Sequence, residues 1–438
     1  MPTETIDTYL RGILSRPHPA ATSKGFLREG LNVCFPGGQT KSRPGVRPFH
    51  GADCAGVISG MGWHVKSDNT RELLVAAGSA IQRVPEGGDP ITLPLTNLPS
   101  TLQTRISPGR AKFLSISGGL NTTFISDGTN TNLVWDGVAL ARVGVDEGPT
   151  PDTTPVMGVG VVTPGIHKFV TTLDSGRHEG NPTTDPIEVT FGQGENATFT
   201  SPTALAIDDP SVLTWHLYGT ITAPGEDFFH IASADIGVDI EFNLADVDLA
   251  ASRPVEEFNN RLQPNKFVEL CEHRGQLVAV TDDDLNLLRW SNLNKNYMVP
   301  EGWPLDWMTP IAHGDGDEIS ALVSFFEWLI VFKKNSTWAV TGVWPDTAAV
   351  PVLASGGGEH IGIGVQAPGA IFHLENEIIF ASRDGMYVIE RFASANGGVQ
   401  AKRITGAIDD LYSAANFEFS ADSFFDRKRR IFGMAGHG

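Results

Sequence analysis

A short apolar strand followed by a turn and a second strand recurs along this chain at a nearly constant step. The fullest copy is Ile319–Gly342, ISALVSFFEWLIVFKKNSTWAVTG. Ile319–Phe325 is rich in branched and aromatic residues, and Trp328–Phe332 is almost wholly apolar, as befits a strand covered on both faces. Lys333–Ser336 supplies turn residues and Thr337–Thr341 resumes the strand pattern. The apolar run returns as Leu277–Val280 before Leu287–Ser291, and as Ile378–Ala381 before Met386–Ile389. Upstream it appears as Leu73–Ala76 before Ala80–Val84, and as Thr123–Ile125 before Leu133–Trp135. A last copy is Arg430–Gly433. With Leu74, Phe124, Val278, Ile330, Ile379 and Ile431 taken as equivalent, the steps are about 50, 154, 52, 49 and 52 residues.

A sheet of this size cannot dry both of its faces alone. A period near 50 is that of a propeller blade. The long step exceeds the others by about 104 residues, the size of one immunoglobulin-like sandwich. The fold expected is therefore all-β: a β-propeller of about six blades with a fibronectin-III/immunoglobulin-like sandwich inserted between the second and third. One large sandwich, or several small ones, is the competing arrangement. The expected divisions are an N-terminal arm over 1–24, a first propeller part over 25–150, the insertion over 151–262 and a second propeller part over 263–438.

Composition agrees with many strands and tight turns, with 48 Gly and 28 Pro in 438 residues. The formal charge of −19 argues against a surface that grips nucleic acid by neutralising phosphates. No signal-peptide core opens the chain and no run reaches the ~18 apolar residues of a membrane span, so synthesis in a cytoplasm without stable membrane insertion is expected. Cys34, Cys54 and Cys271 have no metal-binding spacing. Buried thiols are expected, with a Cys34–Cys54 pair as the alternative in an oxidising compartment.

In chain order, Thr8–Ser15 has room for one or two helical turns. Leu31–Phe35 and Gln39–Arg43 flank the Gly37-Gly38 turn of a hairpin, and pairing between the two chain ends would remove an open edge. Asp146–Thr154 reads as a linker. Strands are expected at Ile166–Leu173, Ile187–Phe191, Ala204–Ile207, Leu213–Tyr218, Phe228–Ala232 and Asp239–Phe242, with Trp215 and Tyr218 anchoring the core of the insertion.

Few residues point to chemistry. Asp315, Asp317 and Glu318 in the GDGDE loop, Gly314–Glu318, are candidate ligands for Ca²⁺, although the residues after Glu318 do not complete an EF-hand. The alternative is a turn whose Asp and Gly supply the backbone angles. Asp282-Asp283-Asp284 reads as a solvated turn. No HExxH, GxSxG or phosphate-loop signature is present, and Gly356-Gly357-Gly358 has no Lys-Ser/Thr pair after it. Ser382-Arg383-Asp384-Gly385 approaches a sialidase-type turn and then departs from it. Asn121-Thr122-Thr123 and Asn196-Ala197-Thr198 match glycosylation acceptors, which a cytoplasmic product does not use. The basic run Arg427, Lys428, Arg429 and Arg430 is a candidate contact for DNA phosphates or an acidic partner, or a solvated turn. No catalytic residue and no cofactor is expected.

Several segments resemble, in order, the tail nozzle or tail hub proteins (tubular tail protein B-like) of short-tailed bacteriophages. These are KSRPG at Lys41–Gly45, GRHEGNP at Gly176–Pro182, LTWHLYGT at Leu213–Thr220, EDFFHIAS at Glu226–Ser233, ADVDL at Ala245–Leu249 and WSN at Trp290–Asn292. GDGDEISAL at Gly314–Leu322, LIVFKKNSTWAVTG at Leu329–Gly342 and the Ile361–Ile389 segment come next. The strand Trp215-His216-Leu217-Tyr218 lacks the arginines usual in that family. The resemblance implies a structural virion protein: a homohexameric ring below the portal and adaptor, contacting the head–tail connector and other tail proteins such as fibres. Double-stranded DNA would pass transiently through its axis during genome ejection. A carbohydrate-binding or glycan-cleaving propeller is the rival function, and a monomeric scaffold for protein partners is the blander one.

Overall fold

A computed structural model describes residues 53–404 apart from short stretches, the longest being 203–208, 256–265, 292–301, 355–362 and 391–398. Beyond that span it describes the strands Val33–Cys34, Lys41–Ser42, Ala421–Asp426 and Ile431–Gly436. The described chain is all-β, with one helical turn at Asp246–Leu249.

Five antiparallel meanders follow one another in sequence. The first contains Ile58–Val65, Arg71–Ala77, Ala80–Val84 and Ile91–Thr92; the second Lys112–Ile116, Thr122–Ser126, Leu133–Trp135 and Leu140–Arg142. The third contains Phe267–His273, Gln276–Thr281, Asp284–Trp290 and Met308–Pro310; the fourth Ile319–Phe325, Trp328–Lys333, Thr337–Thr341 and Ala348–Pro351. The fifth contains Ile371–His373, Glu377–Ser382, Gly385–Glu390 and Gln400–Arg403, with Leu353–Ala354 added in parallel at its edge. The second strand of every sheet is the expected apolar run, and each is buried on both faces, as in the unbroken burial of Gln276–Thr281.

The chain divides into two compact units. One comprises His50–Asp284 with Leu288–Thr309, and so holds the first two sheets, most of the third and the insertion. Inside it the first sheet presses on the second. Ala111 N donates to Ser59 O (3.0 Å), and the His64 ring bonds the Thr123 hydroxyl at 2.9 Å. The contact is so close that a Cβ on Gly60 would lie 2.0 Å from Ala111 O, and one on Gly62 would lie 2.3 Å from Phe113 Cβ. Leu74, Ala76 and Ile81 share a core with Ile125, Leu133 and Trp135. The second sheet packs on the third through Phe124, Val134, Phe267, Leu277 and Trp303.

The other unit comprises Met1–Phe49, Leu285–Leu287 and Pro310–Gly438. There the fourth and fifth sheets share a core of Phe325, Ile330, Phe332, Ile378, Phe380 and Tyr387.

Between the second and third sheets lies a two-layer sandwich. Asp152–Met157, Glu195–Thr200 and Ile240–Phe242 form one layer, and Ile187–Phe191, Gly165–Asp174, Thr214–Gly219 and Phe229–Asp235 the other. Its core is Phe169, Phe191, Phe199, Trp215, Leu217 and Phe242, with the Phe169 and Phe199 rings 4.6 Å apart. Its first, fourth and seventh strands share a sheet.

The molecule departs from the sequence-based expectation in three places. The linker ends early, because Asp152–Met157 is a strand paired along its length with Glu195–Thr200. The acceptor Asn196-Ala197-Thr198 lies within that second strand. Tyr218 is buried but not in the sandwich core: Trp215 and Leu217 point inward, and the alternation of a strand sends His216 and Tyr218 to the outer face. The expected strand Ala204–Ile207, the helical turns at Thr8–Ser15, Cys34 and the glycine run 356–358 lie outside the residues whose side chains or backbone are described. Cys54 and Cys271 are half-buried.

Candidate functional site

The GDGDE loop faces the turn between the second and third strands of the fourth sheet, and each of its carboxylates already has a partner there. Asp315 accepts two hydrogen bonds from Lys333 Nζ, at 2.7 and 2.8 Å. The same ammonium donates to Ile311 O at 3.1 Å and is fully buried. Asp317 accepts from Asn335 N (3.0 Å), Asn335 Nδ2 (3.1 Å) and Ser336 Oγ (2.9 Å). Glu318 pairs with Lys334. Burial pushes the Asp315 carboxyl up, but bonds from Lys333 and the Asp317 N–H outweigh it and hold the group below the usual carboxylate range. The three acidic residues thus share one loop without converging on one point. Among the described residues no group of three or more His, Cys, Asp or Glu is arranged to hold a metal ion.

The basic run Arg427–Arg430 lies outside the described residues. The strands on either side of it pair, with Asp426 opposite Ile431. In the Asp282-Asp283-Asp284 turn, Asp283 accepts from Arg289 Nη2 at 2.6 Å. Ser382 and Gly385 are register partners at the hairpin of the fifth sheet.

Among the described residues, a second dense polar constellation is one the sequence did not single out. It lies on the outer face of the sandwich's four-stranded sheet, under the GRHEGNP loop. His216 Nδ1 is 2.6 Å from Ser233 Oγ, and His216 Nε2 is 3.3 Å from Asp174 Oδ2. His230 Nε2 reaches the same Ser233 oxygen at 2.9 Å. Alongside, Tyr218 Oη donates to Glu179 at 2.6 Å, and Arg253 Nη2 donates to Tyr218 Oη at 3.0 Å. Burial and the neighbouring Glu179 carboxylate raise the Tyr218 phenol far above its ordinary value, so it stays protonated. Burial, followed by the Arg253 charge, lowers the His230 imidazole. Burial alone would raise Asp174, but hydrogen bonds from His216 and Gly176 N bring it below its ordinary value. The residues are far apart in sequence (174, 179, 216–218, 230–233 and 253), and no spacing rule unites them. The available signal was the alternation in Thr214–Gly219, which sends two polar side chains away from the core.

Both connections to the sandwich are pinned close by. On entry, Arg142 Nε donates to Asp209 Oδ2 at 2.6 Å with both side chains buried, and Gly148 N donates to Asn181 O at 3.0 Å. On exit, His230 N donates to Arg253 O at 2.9 Å and Val255 N to Phe228 O at 2.6 Å.

No family model matches the chain, and no curated protein matches it. Among solved structures, the computationally designed Ika8 protein has 10% identity and a TM-score of 0.26, over 89% of this chain and 99% of that one. Hsv2p of Kluyveromyces lactis has 9% identity and a TM-score of 0.27, over 87% and 97%. Apo AztD of Citrobacter koseri has 10% identity and a TM-score of 0.25, over 77% and 88%. Scores this low establish no common fold.

Proposed function

We propose that this chain is a structural virion protein, the ring-forming nozzle or hub of a short phage tail. In this reading six copies close head to tail below the portal and adaptor, and the genome leaves through the central channel. Each copy is a propeller of about six blades: the five meanders, plus the hairpin of Ala421–Asp426 and Ile431–Gly436. The sandwich is its inserted appendage. Heterologous contacts close into a ring only when the rotation between neighbours divides the circle. The charge of −19 leaves such a channel without the cationic lining that would hold phosphates, so DNA slides rather than binds. The partners are other copies of the chain, the connector above and tail proteins such as fibres.

The observation that best supports this reading is the close stacking of the second sheet on the third across the inserted sandwich. It accompanies sequence segments that occur in the order of the nozzle family. The ring role requires neither a catalytic group nor a cofactor. Negative-stain imaging of the purified chain tests it: rings with sixfold symmetry are expected, and a uniformly monomeric particle would refute it.

A further inference from the structure

Asp174, His216 and Ser233 lie on three neighbouring strands of the sandwich, Asp174 diagonally from His216, since its own register partner is Thr214. His216 and Ser233 are direct register partners. Ile236 N donates to Leu213 O, which marks that position as hydrogen-bonded. Counting back along the same register makes the His216–Ser233 pair a non-hydrogen-bonded one, the kind in which opposed side chains stand closest. That explains the 2.6 Å contact. The same count turns the backbone N–H of Ser233 away from its neighbour, toward the sheet edge.

Proton positions follow from the partners. Asp174 is ionised at neutral pH, so His216 Nε2 carries hydrogen and donates to it. In the neutral ring Nδ1 then holds a lone pair, which accepts the Ser233 hydroxyl. Since that hydroxyl has one hydrogen, His230 Nε2 donates to the Ser233 oxygen. Ser233 itself is exposed, while His216 is buried behind it. A nucleophile, a base holding its proton and a carboxylate fixing the base are the parts of acyl-transfer chemistry, recognised by geometry rather than sequence order.

We propose that Ser233, His216 and Asp174 form an acyl-transfer site that hydrolyses carboxylic esters. Ser233 Oγ attacks the ester carbonyl, its proton passes to His216 Nδ1, and the displaced electron pair moves to the carbonyl oxygen. Collapse of this intermediate breaks the ester C–O bond, and the leaving alcohol takes the proton from Nδ1. Water then attacks the acyl-serine, giving a proton to Nδ1. The second collapse releases the carboxylic acid as Ser233 recovers its hydrogen. Ester and water thus become acid and alcohol, with no other reactant. His230 Nε2–H and the Ser233 N–H are the donors placed to meet the oxyanion. Asp174 is a positioning residue. The site stands on the sandwich alone and does not depend on the ring.

The test treats the full chain with a fluorophosphonate probe, maps the label by peptide mass, and measures p-nitrophenyl acetate hydrolysis. The label is expected on Ser233, and hydrolysis is expected to fall on the order of a hundredfold in Ser233→Ala. Because Ser233 is exposed, that variant should keep the melting temperature of the parent, which is measured alongside. Asp174→Asn should also lower the rate and change its pH profile, as a wrongly held imidazole would. No label on Ser233, or a rate unchanged in Ser233→Ala, would overturn the assignment and leave a polar cluster that only fills the sheet face.

Discussion

Phe267 N donates to the Asn132 side-chain oxygen at 2.8 Å, across 135 residues of chain. The Phe267 carbonyl accepts from Gly128 N at 3.0 Å. The third sheet therefore begins against the turn that precedes the last strand pair of the second. The sandwich leaves and returns without interrupting the series.

This stitch is testable. Asn132→Ala leaves the buried Phe267 N–H without its acceptor, at a cost of about 1–3 kcal/mol. Asn132→Asp keeps an acceptor oxygen and should cost less. Urea denaturation of both variants checks the order, and equal stability of Asn132→Ala and the parent would show that the contact does not matter.

Gly60 and Gly62 let the first sheet lie directly on the second. A methyl group at either position meets backbone or Cβ atoms that cannot swing away. Gly60→Ala should therefore cost at least about 2 kcal/mol, by overpacking. Gly237→Ala is the control, since nothing lies within 4 Å there and only its positive φ of +96° is strained. Thermal melting should rank Gly60→Ala well below Gly237→Ala.

Lys333 and the GDGDE loop form a closed set of ion pairs and hydrogen bonds. Lys333→Met strands Asp315 and the Ile311 carbonyl, and should destabilise by about 3 kcal/mol, the lower end for a broken buried pair because Asp315 reaches solvent. Added Ca²⁺ should leave the melting temperature of the parent unchanged. A rise at millimolar Ca²⁺ that disappears in Asp317→Asn would instead identify the loop as a cation site.

His64 is fully buried, and burial lowers its imidazole below 6.5 despite the nearby Glu72. The unfolded chain then binds more protons than the folded one between 6.5 and the depressed value. Stability should fall as pH drops through that window and be fully present above it. His64→Asn should flatten the dependence between pH 7 and 5 in urea titrations; an unchanged slope would mean that the ring does not titrate with unfolding.

Strand ends were often legible because branched, aromatic and alternating residues stop at turn residues: Ile187–Phe191, Thr337–Thr341 and Ala80–Val84 end where the sequence places them. Asp152–Met157 and Glu195–Thr200 escaped notice because each is mixed in polarity, with Pro155 inside the first and exposed polar residues alternating along the second. They become strands by pairing with each other, a relationship no local window contains. The GDGDE loop and the basic run were conspicuous as charge clusters. The Asp174–His216–Ser233 cluster was not, because directly opposed and diagonal positions on neighbouring strands bring it together rather than sequence spacing.

The proposed function stands on repeated sheets closing into a blade ring, and on six such chains closing into a channel. Electron microscopy of the purified full-length chain, with class averages viewed down the particle axis, tests it most directly. Sixfold rings around an open hole are predicted, each subunit carrying one peripheral knob for the sandwich. Particles of single-chain size with no central hole would contradict it.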